Sequence, residues 1–147
     1  MELLKVVRKM QVKIKKLHSD AVVPKYAKKG DAGLDLTAIS KCQYEHYVEY
    51  DTGLAIEIPE GFVGLIFPRS SISNTSLILS NHVGVIDSGF RNSIKFRFKR
   101  INNGPEYYIG ERIGQMIIIP YPKIEFEEVT ELSTTDRGLE GFGSTGK

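Results

Sequence analysis

Ser93-Ile94-Lys95-Phe96-Arg97-Phe98-Lys99 alternates apolar and polar residues at every step. Successive side chains of an extended chain point to opposite faces, so Ile94, Phe96 and Phe98 share one face and the basic residues line the other. A helix would spread these residues around its circumference, whereas a strand with one buried and one wet face sorts them. The same period of two recurs at Val12 and Ile14 and at Leu54, Ile56 and Ile58. Turn-forming stretches such as Pro59-Glu60-Gly61 and Asn102-Asn103-Gly104-Pro105 separate these segments. Short strands at that spacing predict an all-β jelly roll or β-sandwich. Helix is confined to at most one short piece, for which residues 70–77 leave room.

Bulk composition narrows the function classes. A chain of 147 residues is the size of one domain around one core. Its 41% hydrophobic and 26% charged residues are those of an ordinary globular protein. With 20 basic against 18 acidic residues the net charge is only +2, so no nucleic-acid partner is expected. The single cysteine, Cys42, closes no intrachain disulfide, which suits a reducing compartment. The apolar run from Met116 to Ile119 ends at Pro120, far short of a bilayer span. Residues 1–10 carry Lys5, Arg8 and Lys9 without the apolar core or cleavage site of a signal peptide. The expectation is a cytoplasmic protein with no membrane contact. Residues 1–9 read as an N-terminal extension, 10–132 as the β domain, and 133–147 as a flexible, glycine-rich tail. That tail has one aromatic, Phe142, too little apolar area to order it alone.

Five segments could carry chemistry. In the tail, Arg137-Gly138-Leu139-Glu140-Gly141-Phe142-Gly143-Ser144-Thr145 joins flexible backbone donors, hydroxyls and a guanidinium into a phosphate clamp with an aromatic lid. Such ends are also ordinary linkers. Gly84-Val85-Ile86-Asp87-Ser88-Gly89-Phe90-Arg91-Asn92 reads as an exposed hairpin, with Gly89 and Asn92 at positions that tolerate positive φ. Asp87 at its tip suits either water activation or closure of a turn. Pro68-Arg69-Ser70-Ser71 follows an apolar strand ending at Phe67, and reads as an anion site opening a short helix or as plain N-capping. Asp31-Ala32-Gly33-Leu34-Asp35-Leu36 and Gly110-Glu111-Arg112-Ile113-Gly114-Gln115-Met116 read as strand-edge turns. His18, His46 and His82 are scattered, so no metal is assigned to histidine.

Taken in order, these five segments closely resemble the five motifs of the trimeric dUTPase family, from about Met10 to Lys147. The resemblance implies a β jelly roll assembled as a homotrimer, with active sites at subunit boundaries built from all three chains. It implies dUTP as substrate, dUMP and pyrophosphate as products, and Mg2+ as cofactor. On that implication Asp87 holds and activates the water that attacks the α-phosphorus, and Asp35 orients the metal through water. Arg69, Ser70, Ser71 and Gln115 hold phosphates, and Arg137 clamps the terminal one. Phe142 closes over the uracil ring, with Gly143, Ser144 and Thr145 binding substrate beside it. The backbone around Gly84, Val85 and Ile86 up to Lys95, helped by Asn81, reads the uracil edge. Cytosine would leave such fixed partners unpaired at about 1–3 kcal/mol each, so it should be rejected.

Four positions depart from the family pattern. Phe90 stands where Tyr is usual, keeping a ring face for the deoxyribose and losing the phenol's hydrogen bond. Asn92 and Ser71 stand for glycines, and Glu140 for a tail glycine, which adds a carboxylate near the triphosphate. Deoxycytidine triphosphate deaminases share the fold and the third motif. They need a glutamate where Arg97 stands and an arginine where Asn74 stands. A nucleotide sensor that kept the pocket and lost turnover is the reading from another class, disfavoured by the presence of Asp87 and Arg137.

Overall fold

The computed structural model describes residues 9–146, so the expected extension at 1–9 lies outside the described residues but for Lys9. Ten strands run in chain order: β1 (Lys13–Lys16), β2 (Leu34–Thr37), β3 (Ser40–Gln43), β4 (Val48–Asp51), β5 (Leu54–Glu57), β6 (Phe62–Phe67), β7 (Leu77–Leu79), β8 (Gly84–Ile86), β9 (Lys95–Arg100) and β10 (Arg112–Pro120). The room left for helix holds a single 3-10 turn, Ser70–Asn74. The all-β expectation is met.

All pairings are antiparallel. One sheet has the order β2-β10-β6-β8, a second β3-β4-β9-β7, and β1 pairs with β5 in a two-stranded ribbon. The alternation that opened the sequence reading is β9, where Phe96 and Phe98 are buried and Lys95, Arg97 and Lys99 are exposed. These rings meet Val48 and Tyr50 of β4, Leu77 and Leu79 of β7, and Leu36, Ile66, Ile113 and Met116 of the other sheet in one core. Truncating Phe96 or Phe98 to alanine would cost about 3–5 kcal/mol, because close-packed neighbours cannot collapse into the void. Two buried hydroxyls are satisfied within this core: Thr52 Oγ1 donates to the Ile94 carbonyl at 2.7 Å, and the Tyr50 hydroxyl to the Tyr107 carbonyl at 2.8 Å.

Two features differ from the sequence reading. The segment 84–95 is not a two-stranded ladder: β8 pairs with β6 and β9 pairs with β4 and β7, so the chain crosses from one sheet to the other. The left-handed residue near it is His82, at φ 61°, and neither Gly89 nor Asn92 adopts positive φ. A turn at residues 87–90, closed by the Phe90 amide on the Asp87 carbonyl at 3.1 Å, makes the corner instead.

Candidate functional site

Strand parity would place Arg112 and Gln115 on opposite faces of β10. A β-bulge between Arg112 and Gly114 adds one residue against β2, and both side chains come to the same recess. Gln115 lies opposite Asp35 of the edge strand β2 and Phe67 of β6, so β2, β10 and the end of β6 meet at one patch. A Cβ at Gly33 would meet the Gln115 carboxamide, so the glycine leaves that side chain room to lie in the patch. The Gln115 amide donates to the Pro68 carbonyl at 2.9 Å, which fixes the entry to the 3-10 turn.

This recess, of about 460 Å3, is lined by Asp35, Arg69, Ser70, Arg112 and Gln115 among others. Arg69 Nε lies 2.9 Å from Asp35 Oδ1 and Arg112 Nη1 3.2 Å from Oδ2. Asp31 lines the recess as well, so two carboxylates balance two guanidiniums, and both arginines are held by Asp35 where an anion could reach them. The turn at Ser70 is only five residues long, so the positive field comes from the arginines rather than from a helix terminus. Ser71 faces an adjoining recess with Tyr107, Glu111 and the same two arginines, and its hydroxyl lies 3.0 Å from that of Tyr107.

A second recess, of about 350 Å3, lies on the outer face of the other sheet. Ile86 and Phe90 give it apolar walls, and Asn81, Asn92, Ser93 and Lys95 give it polar ones. Glu49, only 8% exposed, lines it too, with Arg97 Nε at 2.7 Å and Lys95 Nζ at 3.7 Å. Glu49 pairs in register with Arg97 across β4 and β9, so a carboxylate reaches from the neighbouring strand to the place where Arg97 stands. Gly84 is buried, and a Cβ there would strike Ile66; Val85 points outward and is 62% exposed.

The remaining predicted residues fall outside both recesses. Asp87 is exposed at the corner turn, and Arg91 ties that turn down through the Ser88 carbonyl at 2.6 Å and Glu57 at 3.2 Å. In the tail, Arg137 Nε bonds the Glu140 carbonyl at 3.1 Å, and Phe142 is fully exposed at φ 47°. Gly143, Ser144 and Thr145 lie beyond it in a run of exposed turns. Within one chain, then, Asp35, Arg69, Ser70 and Gln115 meet, and Asn81, Ile86, Phe90 and Lys95 meet; Asp87 and the tail join neither group. The sequence reading passed over Arg112 and Glu49.

Comparison with known proteins gives the family. The dUTPase family model matches residues 19–146. The chain is 41% identical to the deoxyuridine 5'-triphosphate nucleotidohydrolase of Corynebacterium glutamicum, with 92% of this chain and 95% of that protein covered. A protein of the same name from Hydrogenobaculum is also 41% identical, at 93% and 99% coverage. Among solved structures, a dUTPase of Staphylococcus bacteriophage 80alpha with dUpNHpp superposes with a TM-score of 0.82 at 26% identity, covering 95% of this chain and all of that one. With its two recesses, its ten strands and these relatives over nearly its whole length, the chain belongs to the dUTPase family.

Proposed function

We propose that this protein hydrolyses dUTP to dUMP and pyrophosphate by attack of water on the α-phosphorus, in active sites shared between the subunits of a homotrimer. Family membership and the names of its relatives support the reaction. The observation that carries the shared site is the division of one nucleotide's needs between two separate recesses, one lined by Arg69 and Arg112 and one walled by Ile86 and Phe90. Each recess suits half of dUTP, and juxtaposing two protomers unites the halves. Assembly also gives residues 121–132 a role. They run without strand pairing and expose Phe126 at 94% and Leu132 at 85%, apolar surface that a neighbouring chain would cover.

In this reading Arg69, Ser70, Ser71 and Gln115 hold phosphate oxygens, and Arg112 joins them through its grip on Asp35. Phe90 packs on the deoxyribose, while Asn81, Lys95 and the backbone at Gly84, Val85 and Ile86 read the base. Asp87 takes a proton from the attacking water as the bond from the α-phosphorus to the bridging oxygen breaks. Arg137, Phe142, Gly143, Ser144 and Thr145 arrive last, the guanidinium on the terminal phosphate and the ring over the uracil. Such a tail is an ordering segment that excludes water once substrate is bound.

The residues present fit Mg2+. Among the described residues no cluster of three or more His, Cys, Asp or Glu forms an all-protein cage. Mg2+ does not require one, since it keeps waters and binds through one or two carboxylates and substrate phosphates. Asp35 is a carboxylate of the arginine-lined recess, and its oxygens, each held by one arginine, retain lone pairs for a water in the ion's shell. When bound, the ion neutralises triphosphate charge so that water can approach. No helix among the described residues is long and apolar enough to cross a membrane.

The test is pyrophosphate release by the purified protein with Mg2+, comparing dUTP with dCTP, dTTP and UTP. Turnover of dUTP far above the others is expected; binding of dUTP with no turnover would replace this reading with that of a sensor. Ammonia is assayed in the dCTP arm, because Glu49 puts a carboxylate in the base recess.

A further inference from the structure

Tyr107 is 4% exposed, and its ring meets Tyr50 edge-on at 6.3 Å and Phe98 at 5.9 Å between centroids. Its backbone carbonyl accepts from the Tyr50 hydroxyl. Packing thus fixes both ends of the residue, and the phenol oxygen sits 3.0 Å from Ser71 Oγ. Ser71 is only half-buried, and it faces the recess that shares Arg69 and Arg112 with the anion recess. Either hydroxyl can donate to the other. Burial pushes the Tyr107 phenol above its ordinary range, outweighing the opposing pull of Ser71 and Arg69, so the phenol keeps its proton at neutral pH.

An anion beside the arginines resolves the choice of donor. If Ser71 donated to Tyr107, its lone pairs would face the anion and repel it. If Tyr107 donates to Ser71, the serine hydrogen is free to bond the anion, and two hydrogen bonds in series polarise one another. We infer that Tyr107 is a positioning residue for the dUTPase reaction, holding the Ser71 hydroxyl as a donor to the phosphate chain of the substrate. The inference rests on the proposed phosphate role of Ser71. It gives a reason for the hydroxyl at 71, where the family pattern has glycine, to be paired with a buried phenol 36 residues further on.

A double-mutant cycle on the full-length protein with dUTP and Mg2+ tests this. Tyr107→Phe keeps the ring and removes the oxygen; KM should rise about 2- to 10-fold with kcat little changed. Ser71→Ala should raise KM at least as much, and adding Tyr107→Phe to it should do nothing further. Ser71→Thr keeps a hydroxyl and should keep the sensitivity to Tyr107→Phe. An equal effect of Tyr107→Phe with and without Ser71→Ala, or none where Ser71→Ala has one, would overturn the inference. A Ser71→Ala protein with unchanged KM would instead remove Ser71 from phosphate binding, and the inference with it.

Discussion

Asp35 and Glu49 each lie beneath two cations, Arg69 and Arg112 over the first, Lys95 and Arg97 over the second. Both carboxylates line a recess, and Asp31 adds a second carboxylate to the one around Asp35. The walls differ. Around Asp35 the guanidiniums sit with a serine and a glutamine, whereas around Glu49 an isoleucine, a phenylalanine and two asparagines close in. A phosphate chain needs net charge and several donors; a base needs apolar faces and a few fixed polar partners. Net charge therefore does not single out the recess suited to phosphates; its paired guanidiniums do, as the apolar walls do for the other. Glu106 makes the contrast sharper still. It too holds two cations, Lys41 at 2.8 Å and Arg100, yet Glu106 lines neither recess. Burial alone would raise its pKa, but the bonds from Lys41 and Arg100 prevail and hold it below the ordinary carboxylate value.

The largest effect is expected at Asp87, which lines neither recess. Asp87→Asn should cut pyrophosphate release by about 100- to 10,000-fold. Binding of a non-hydrolysable dUTP analogue, followed by calorimetry, should survive; unchanged turnover would remove Asp87 from catalysis. Deleting residues 133–147 should cripple turnover while the thermal unfolding midpoint stays put, and full activity in that truncation would end the clamp reading. At the arginine-lined recess, Arg69→Ala should lower kcat/KM about 10- to 150-fold, as expected for hydrogen bonds to charged groups. The loss should be equal for dUTP and dCTP. Asn81→Ala in the other recess should change the ratio between those two substrates, and the comparison fails if both variants behave alike. Phe90→Tyr restores the usual phenol and should improve preference for dUTP over UTP by about 2- to 10-fold. Smallest of all, Glu106→Gln should leave kcat/KM unaltered. It should weaken the acid limb of stability: a carboxyl with depressed folded pKa contributes above its unfolded value of about 4.3 and loses that contribution as pH falls through the folded one. Thermal midpoints measured from pH 3 to 7 would show it.

Much of this was legible in the chain itself. The alternation through Phe96 and Phe98 needs no tertiary information, because a half-buried strand has only one way to sort those side chains. Arg69 and Gln115 were found from motif order, and they do share a recess with Asp35. Arg112 lay in the quoted stretch and was passed over, since alternation alone sends it to the face opposite Gln115. Glu49 gave a weaker signal, one acidic residue between the inward Val48 and Tyr50, and only register with Arg97 gives it a recess to line. The partner of β8 was illegible for a different reason. Three residues, Gly84–Ile86, bind equally well to any free edge, and the sheet that takes them is chosen by the packing of Gly84 against Ile66.

The bulge in β10 carries a consequence for mutational tolerance. Along most strands of this fold a scan of polar substitutions should give a fitness trace that oscillates with period two. At residues 112–116 that trace should slip phase, with Ile113 and Gly114 both intolerant before the beat resumes at Met116. A single-residue deletion there would remove the slip, restore an unbroken rhythm, and swing Arg112 out of the recess it shares with Arg69. The strand would become more regular and the enzyme worse.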